Sequence, residues 1–250
     1  MRAAGFVLVA AMLPCALARG AERAPGAPPP VLNVTRVRLK PQSSSAYATV
    51  EAQVVRAFER ARVPIYWIAL QSPRDANDVV YLNLFDSRDA LDRATAAYGQ
   101  ASKQHADLPQ LQQRLSEFIT STASSLTTRR DDIDRGVRGV DFATMRSMRL
   151  TTFQVRPGRE GEFVQAIRTA HLKDGAWLVY EATDSSTFLL LTLKRTAIAR
   201  SDGPPIPRTL RRFRGVYTRV DTRVYSVRPL MSRVPPAFVT ADPQRRRTPT

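Results

Sequence analysis

Residues 149–168, RLTTFQVRPGREGEFVQAIR, decide the fold, because they pass from an extended run through Arg-Pro-Gly into a helical pattern. The same order appears upstream in residues 35–58, TRVRLKPQSSSAYATVEAQVVRAF, where Lys-Pro-Gln stands in place of Arg-Pro-Gly. Proline fixes φ and removes a backbone donor, so each turn ends a strand before a helix begins. An anion could bind Arg156 and the helix N-terminus behind it, but Gln42 replaces Gly158 in the upstream turn. The repeated turn therefore indicates a duplicated fold more than a binding site.

The first half of the chain has the pattern strand, helix, strand, strand, helix. Short β-branched and aromatic runs predict strands at 34–39, 65–70 and 78–85, and Ser87 is a suitable N-cap for the helix that follows the third strand. A further helix is predicted from Asp107 onward, because apolar residues recur at a spacing of three and four through Leu126. That helix leaves only residues 125–130 for a fourth strand.

The second half repeats the order of the first. It predicts a strand at 145–155, an amphipathic helix through Ala170, and a hairpin formed by 176–183 and 187–193. Residues 201–207, SDGPPIP, cannot be helical, so a short helix is expected only within 208–217. A last strand is predicted at 222–229, followed by an irregular arm.

The pattern β-α-β-β-α-β, found twice, predicts an α+β fold of two tandem ferredoxin-like repeats packed as a pseudo-dimeric α+β barrel. We divide the chain into five segments. They are a signal peptide at 1–18, a proline-rich tether at 19–31, a first repeat with an extra helix at 32–136, a second repeat at 145–230, and an irregular arm with a basic tail at 231–250.

The first residues predict export to the periplasm or the extracellular space. A basic start, a short apolar run and Ala16-Leu17-Ala18 form a secretory signal with a cleavage site. Cys15 is the only cysteine, so the mature chain would have no disulfide and no cysteine metal ligand.

Positive charge is concentrated near the C-terminus. The chain has a net charge of +16, and residues 208–247 contain eleven arginines against two aspartates. Such a region could bind anionic lipid or an acidic polymer of the envelope, while export argues against nucleic acid as a partner. A solvated arginine-rich face is the alternative.

Two local motifs carry a resemblance to a known group of proteins. The strand–RPG-R-E-x-E-F–helix motif at 156–163 and the W-x-x-Y-E hairpin at 177–181 resemble the dimeric α+β barrel superfamily of antibiotic-biosynthesis-type monooxygenases and NIPSNAP-like proteins. The tandem layout, the signal peptide and the ending RPLMSRVPPAFVTADP at 228–243 resemble an uncharacterised family of secreted bacterial proteins within it. Because these are turn and packing motifs, the resemblance implies a fold more than an activity.

We expect a module that binds a small apolar or aromatic ligand in a cavity between the sheets. Residues proposed to contact that ligand are Trp67, His171, Trp177, Tyr180 and Glu181. Strand alternation places Trp177 and Glu181 on one face of the sheet and Tyr180 on the other, so these residues cannot all line one pocket. A cofactor-independent monooxygenase-like enzyme acting on a small aromatic substrate is the alternative that the resemblance implies. No catalytic residue is assigned.

Neither a cofactor nor a metal ion is predicted. The chain has two histidines, His105 and His171, and no motif for a nucleotide or a metal. Haem is an alternative, since haem-binding relatives in the superfamily resemble the layout of His171 ahead of Trp177 and Tyr180. The aspartates at 131, 132 and 134 are flanked by arginines, which indicates local charge pairing instead of a metal site.

Overall fold

The computed structural model describes residues 26–137, 139–170, 176–183, 186–196, 208–211 and 213–243. Several predictions lie outside the described residues. They are the signal peptide at 1–18, most of the tether, His171, the non-helical segment 201–207 and the end of the basic tail from 244 onward.

Residues 31–129 form four strands and three helices. Helix α1 packs its apolar stripe, which includes Tyr47, Val50, Val54 and Phe58, on the outer face of the strands. The elements are β1 (Val31–Leu39), α1 (Ser44–Arg60), β2 (Tyr66–Gln71), β3 (Asp78–Phe85), α2 (Arg88–Gln104), α3 (Asp107–Ser116) and β4 (Ile119–Arg129).

The described residues from 147 onward form four more strands and three shorter helices. Helix α4 begins directly after the Arg-Pro-Gly turn and buries Phe163, Ala166 and Ile167 against the sheet. The elements are β5 (Ser147–Val155), α4 (Glu160–Arg168), β6 (Leu178–Ala182), β7 (Thr187–Lys194), α5 (Arg208–Arg211), β8 (Tyr217–Val227) and α6 (Pro236–Ala241), with a 3₁₀ turn at Pro229–Met231.

The eight strands of the described residues close into an antiparallel barrel in the order β1, β3, β2, β8, β5, β7, β6, β4. The strands of 31–129 follow the order fourth, first, third, second, and those of 147–227 follow the same order. Long ladders join the strands within each group. The two seams between the groups are short: β2 pairs with β8 through two residue pairs, and β4 pairs with β6 through three. The chain is therefore a mixed α+β fold.

Two boundaries differ from the sequence prediction. The helix expected from Asp107 through Leu126 ends at Ser116, and Ile119–Arg129 form β4 along the whole of β1. The 3–4 spacing of apolar residues misled the prediction, since Ile119, Thr120 and Thr122 are β-branched residues that favour a strand. In the same way the last strand begins at Tyr217 instead of 222, because β8 pairs with β5 along its full length.

One contiguous apolar cluster fills the space between the two groups of strands. It takes side chains from the inward faces of β1, β2, β3, β5, β6, β7 and β8. Phe142, Ala143 and Met145 enter it from the connection between the halves, and Phe238 enters it from α6. Two separate clusters lie outside the barrel, between each group of strands and its helices.

The end of the proline-rich segment packs on the barrel as well. The carbonyl oxygens of Pro29 and Pro30 accept hydrogen bonds from the Tyr180 hydroxyl, at 2.7 Å, and from the Arg129 backbone nitrogen, at 2.7 Å. Among the described residues no helix is long and apolar enough to cross a membrane.

Candidate functional site

The two tryptophans that we predict to contact a ligand lie at equivalent places outside the barrel interior. Trp67 forms an isolated β-bridge with Arg233, and its indole nitrogen donates to the Met231 carbonyl at 2.7 Å. Trp177 forms the matching bridge with Arg135. Trp67 packs in the cluster under α1, and Trp177 packs in the cluster under α4. The structure therefore does not bring the two rings together.

Among the predicted ligand residues that the structure describes, Tyr180 alone faces the barrel interior. Its ring lies in the interior cluster, one strand position away from Glu181. Glu181 points away from that cluster and accepts a hydrogen bond from Arg130 at 2.6 Å. The separation of Tyr180 from Trp177 agrees with strand alternation. The ligand role proposed for these residues stays a prediction.

A surface cleft of about 320 Å³ lies between α1 and α3. Its lining residues are Gln53, Arg56 and Arg60 from α1 and Asp107, Gln110, Leu111 and Arg114 from α3. On each helix these positions recur at three, four and seven residues, so they share one face. From Gln53 to Arg60 the α1 wall is about 10 Å long at 1.5 Å per residue. The cleft is thus the size of a small organic molecule.

Two cross-helix contacts frame the cleft. At one end the Arg60 guanidinium donates to Asp107 at 2.6 Å, and at the other end Arg114 donates to Gln53 at 3.2 Å. Leu111 lies between them and is buried, so it supplies an apolar floor. Because α1 and α3 run antiparallel, Arg56 and Gln110 stand opposite each other in the middle.

The cleft carries uncompensated positive charge. Asp107 neutralises Arg60, while Arg114 is held by an uncharged amide. Arg56 is exposed and forms no ion pair with any residue that the structure describes. A cleft with two unbalanced guanidinium groups above an apolar floor suits an anion with an apolar body.

Sequence reasoning missed these residues because it followed the apolar stripes of the helices. The signal in the sequence is the repeat of polar residues at 53, 56 and 60 on α1 and at 107, 110 and 114 on α3. That signal does not show which helix packs alongside. Only the tertiary structure sets α3 beside it.

A buried carboxyl group lies on the inner face of α1. Glu51 is 4 % exposed, and burial raises its pKa to about 8. A hydrogen bond to Tyr81 opposes that shift in the pKa. The Tyr81 hydroxyl is in turn 2.8 Å from the Tyr47 hydroxyl. Burial also raises the pKa of both tyrosines, so it favours the uncharged form of all three groups.

A second polar cluster lies where β3 approaches β8. Asp78 is 1 % exposed and accepts hydrogen bonds from Arg36 at 2.9 and 3.1 Å and from Arg223 at 2.8 Å. The Tyr225 hydroxyl donates to it at 3.3 Å, and Asp221 bonds to both arginines. Two carboxylates balance two guanidiniums, so this cluster acts as a clamp between the halves.

Within the described ranges, no group of three His, Cys, Asp or Glu side chains is arranged to hold a metal ion. His171, on which the haem alternative rests, lies outside the described residues, and haem stays an alternative prediction.

The chain matches no family model and no curated protein. It is similar in structure to a predicted monooxygenase from Fusobacterium nucleatum, with a TM-score of 0.52 and 11% identity over 80% of this chain and 93% of that one. Two further solved structures have a TM-score of 0.49. One is an anthrone oxidase-like protein, at 12% identity over 80% and 92% of the two chains, and the other is a chlorite dismutase from Candidatus Nitrospira defluvii, at 13% over 81% and 92%. The first similarity shows that the chain has an α+β barrel fold.

Proposed function

We propose that the protein is a binding module for a small organic anion with an apolar body, held in the cleft between α1 and α3. The observation that carries this proposal is a cleft of about 320 Å³ lined by both the exposed Arg56 and the buried Leu111. The carboxylate or phosphate group of the ligand would contact Arg56 and Arg114. Its apolar part would cover Leu111.

The packing of the barrel interior supports this choice over a ligand between the sheets. The interior is occupied by the apolar cluster, and the connection and the C-terminal arm both contribute side chains to it. A ligand in that space would have to displace Phe142 or Phe238. The α1–α3 cleft needs no such rearrangement.

Isothermal titration calorimetry tests the proposal with phenyl phosphate as the probe and inorganic phosphate as the purely ionic comparison. We expect phenyl phosphate to bind with a Kd below about 1 mM and inorganic phosphate to bind more weakly, since only the former covers the apolar floor. Replacing Arg56 with glutamine should weaken phenyl phosphate binding about tenfold, the effect of losing one charge-assisted hydrogen bond.

Arg93→Gln is the matched control, because Arg93 is an exposed arginine on α2, outside the cleft. It removes the same charge and should leave the Kd unchanged. Equal loss of affinity in the two variants would show that binding follows net charge alone, and the cleft proposal would then be wrong.

A cofactor-independent oxygenase is the second candidate. The shared α+β barrel fold is compatible with it, and Glu51 is a carboxyl group suited to proton transfer near neutral pH. However, Glu51 is buried and is not among the residues that line the α1–α3 cleft. Oxygen uptake with an electron-rich phenol, lost in Glu51→Gln, would favour this candidate over a binding module.

We also infer that the two halves are copies of one ancestral unit. Strands β1 and β5 have the same alternation of buried and exposed residues. After the fourth strand of each half, residues 130–135 and 228–233 run beside the second strand of the other half and end in the bridges Arg135–Trp177 and Arg233–Trp67. The shared strand order supports the same inference.

A further inference from the structure

The N-terminal part of β4 is an exposed strand edge. Residues 120–124 are all exposed, so neither the helices nor the opposite strands cover this segment. On one side β4 pairs with β1. On the other side β6 reaches only Thr127–Arg129, and the Thr183 nitrogen donates to the Leu126 carbonyl. Among the described residues, nothing pairs with the edge between 119 and 125.

Alternation along β4 shows which backbone groups are free. Because the Leu126 carbonyl points to the β6 side, the backbone groups of Ser124 and Thr122 point the same way. They lie beyond the end of β6, so their N–H and C=O groups are open to another strand.

The equivalent edge of the other half is protected. Strand β8 also extends beyond its short pairing with β2, but it carries Arg219, Asp221 and Arg223 along that stretch. Asp221 and Arg223 are tied to Arg36 and Asp78, which blocks the approach of a further strand. In contrast, residues 119–128, ITSTASSLTT, contain no charged residue and no proline. Charges and prolines are what normally protect an edge.

We propose that this edge pairs with the same edge of a second copy of the chain, forming a two-fold antiparallel β4–β4 contact. A contact centred on Ala123 places Thr122 and Ser124 opposite Ser124 and Thr122 of the other copy, so each free donor meets a free acceptor. The side chains at this contact are small. They allow two backbones to approach without a steric clash.

The distribution of charge favours a second copy of the chain as the partner of the β4 edge. The chain carries a net charge of +16, so two copies repel each other wherever arginines face outward. The β4 edge is a long uncharged stretch on which two copies can meet without bringing cations together. It offers an acidic peptide no ion pair.

Sedimentation equilibrium over a range of protein concentrations tests this proposal. We expect a monomer–dimer equilibrium with a Kd on the order of micromolar, typical of a small interface. Thr122→Lys brings two ammonium groups together at the contact and should raise the Kd of the dimer at least tenfold. Thr122→Pro removes an edge donor without removing a hydrogen bond to β1, and should have the same effect.

Thr218→Lys is the matched control, since Thr218 is an exposed residue near the start of β8. It adds the same charge and should leave the dimer intact. Amide hydrogen exchange gives a second measurement: the Thr122 and Ser124 amides should become protected as the protein concentration rises. A wild-type chain that is monomeric up to about 1 mM, or a dimer unchanged in both Thr122 variants, would overturn the proposal.

Discussion

Glu51 and Asp78 are both buried carboxyl groups, but their hydrogen-bond partners differ. Glu51 has Tyr81 as its hydrogen-bond partner, and burial raises its pKa to about 8. Asp78 accepts hydrogen bonds from two guanidinium groups, in a cluster in which two carboxylates pair with two arginines. Neither difference was visible in the sequence, because the partners of each residue come from distant strands.

Glu51 should make the protein less stable as the pH rises. Its pKa is about 8 in the folded chain against an ordinary value of 4.5, so its contribution is fully present below pH 4.5 and is lost as the pH rises through 8. Over that range the free energy of unfolding should fall by up to about 1.4 kcal/mol per pH unit. Urea unfolding at several pH values measures this slope.

Glu51→Gln separates this effect from other titrating groups. Glutamine keeps a hydrogen bond to Tyr81 without a titrating proton. The free energy of unfolding of the variant should therefore change less between pH 5 and 8, and the variant should be more stable than the wild type at pH 8. Identical slopes in the two proteins would mean that Glu51 is ionised in the folded chain.

Asp78→Asn should destabilise the fold by roughly 3 kcal/mol, the lower end of the range for breaking a buried ion pair. We place it at the lower end because Arg36 and Arg223 are each more than one third exposed. Chemical denaturation of the variant measures this cost.

Asp75→Asn is a control three residues away. Asp75 pairs with Arg38 at the surface, where both side chains are at least 35% exposed, and its loss should cost less than about 1 kcal/mol. If the two variants proved equally stable, the clamp that Asp78 forms with Arg36 and Arg223 would have no energetic role.

At the scale of elements, the sequence predicted most strands and helices but misplaced the start of β4. The apolar spacing of α3 continues by coincidence into Phe118, Ile119 and Leu126, so periodicity alone could not find the end of the helix. Pairing of β4 with β1 fixes residues 119–129 as a strand instead of a helix. Local pattern carries no information on such a distant pairing.

The arm after β8 is another element whose role the sequence did not reveal. It was expected to be irregular, but it places Phe238, 7% exposed, in the interior of the barrel. Phe238→Ala should lower the free energy of unfolding by roughly 3 kcal/mol, near the low end for such a change because α6 can detach instead of leaving a cavity. Denaturant unfolding measures the loss.

Limited proteolysis of the same variant should show faster cleavage within 236–243 if α6 detaches. Thr240→Ala is the control, since Thr240 is exposed and bonds only to Pro236 within the helix. If Phe238→Ala neither lowered the free energy of unfolding nor accelerated cleavage within 236–243, a structural role for the arm would be contradicted.

At the scale of the whole molecule, the order of strands and helices predicted an α+β fold, and the composition gives a net charge of +16. Arg156, Arg211, Arg214 and Arg219 are exposed near one end of β5 and β8, and none forms an ion pair with a described residue. Binding of this surface to an anionic lipid or polymer stays a prediction. Export also stays a prediction, because residues 1–25 are not described.

The candidate site is a property of the assembled fold. Its two walls come from residues 53–60 and 107–114, which lie about fifty residues apart in the sequence. Each wall alone is an ordinary polar helix face. Only the antiparallel packing of α1 on α3 turns the two faces into a cleft, so no motif search could have found it.

A crystal structure of the protein with saturating phenyl phosphate tests the central claim most directly. We predict density in the α1–α3 cleft, with phosphate oxygens within hydrogen-bonding distance of Arg56 and Arg114 and the ring over Leu111. Density in the barrel interior beside Tyr180, or an empty cleft at saturation, would contradict the claim.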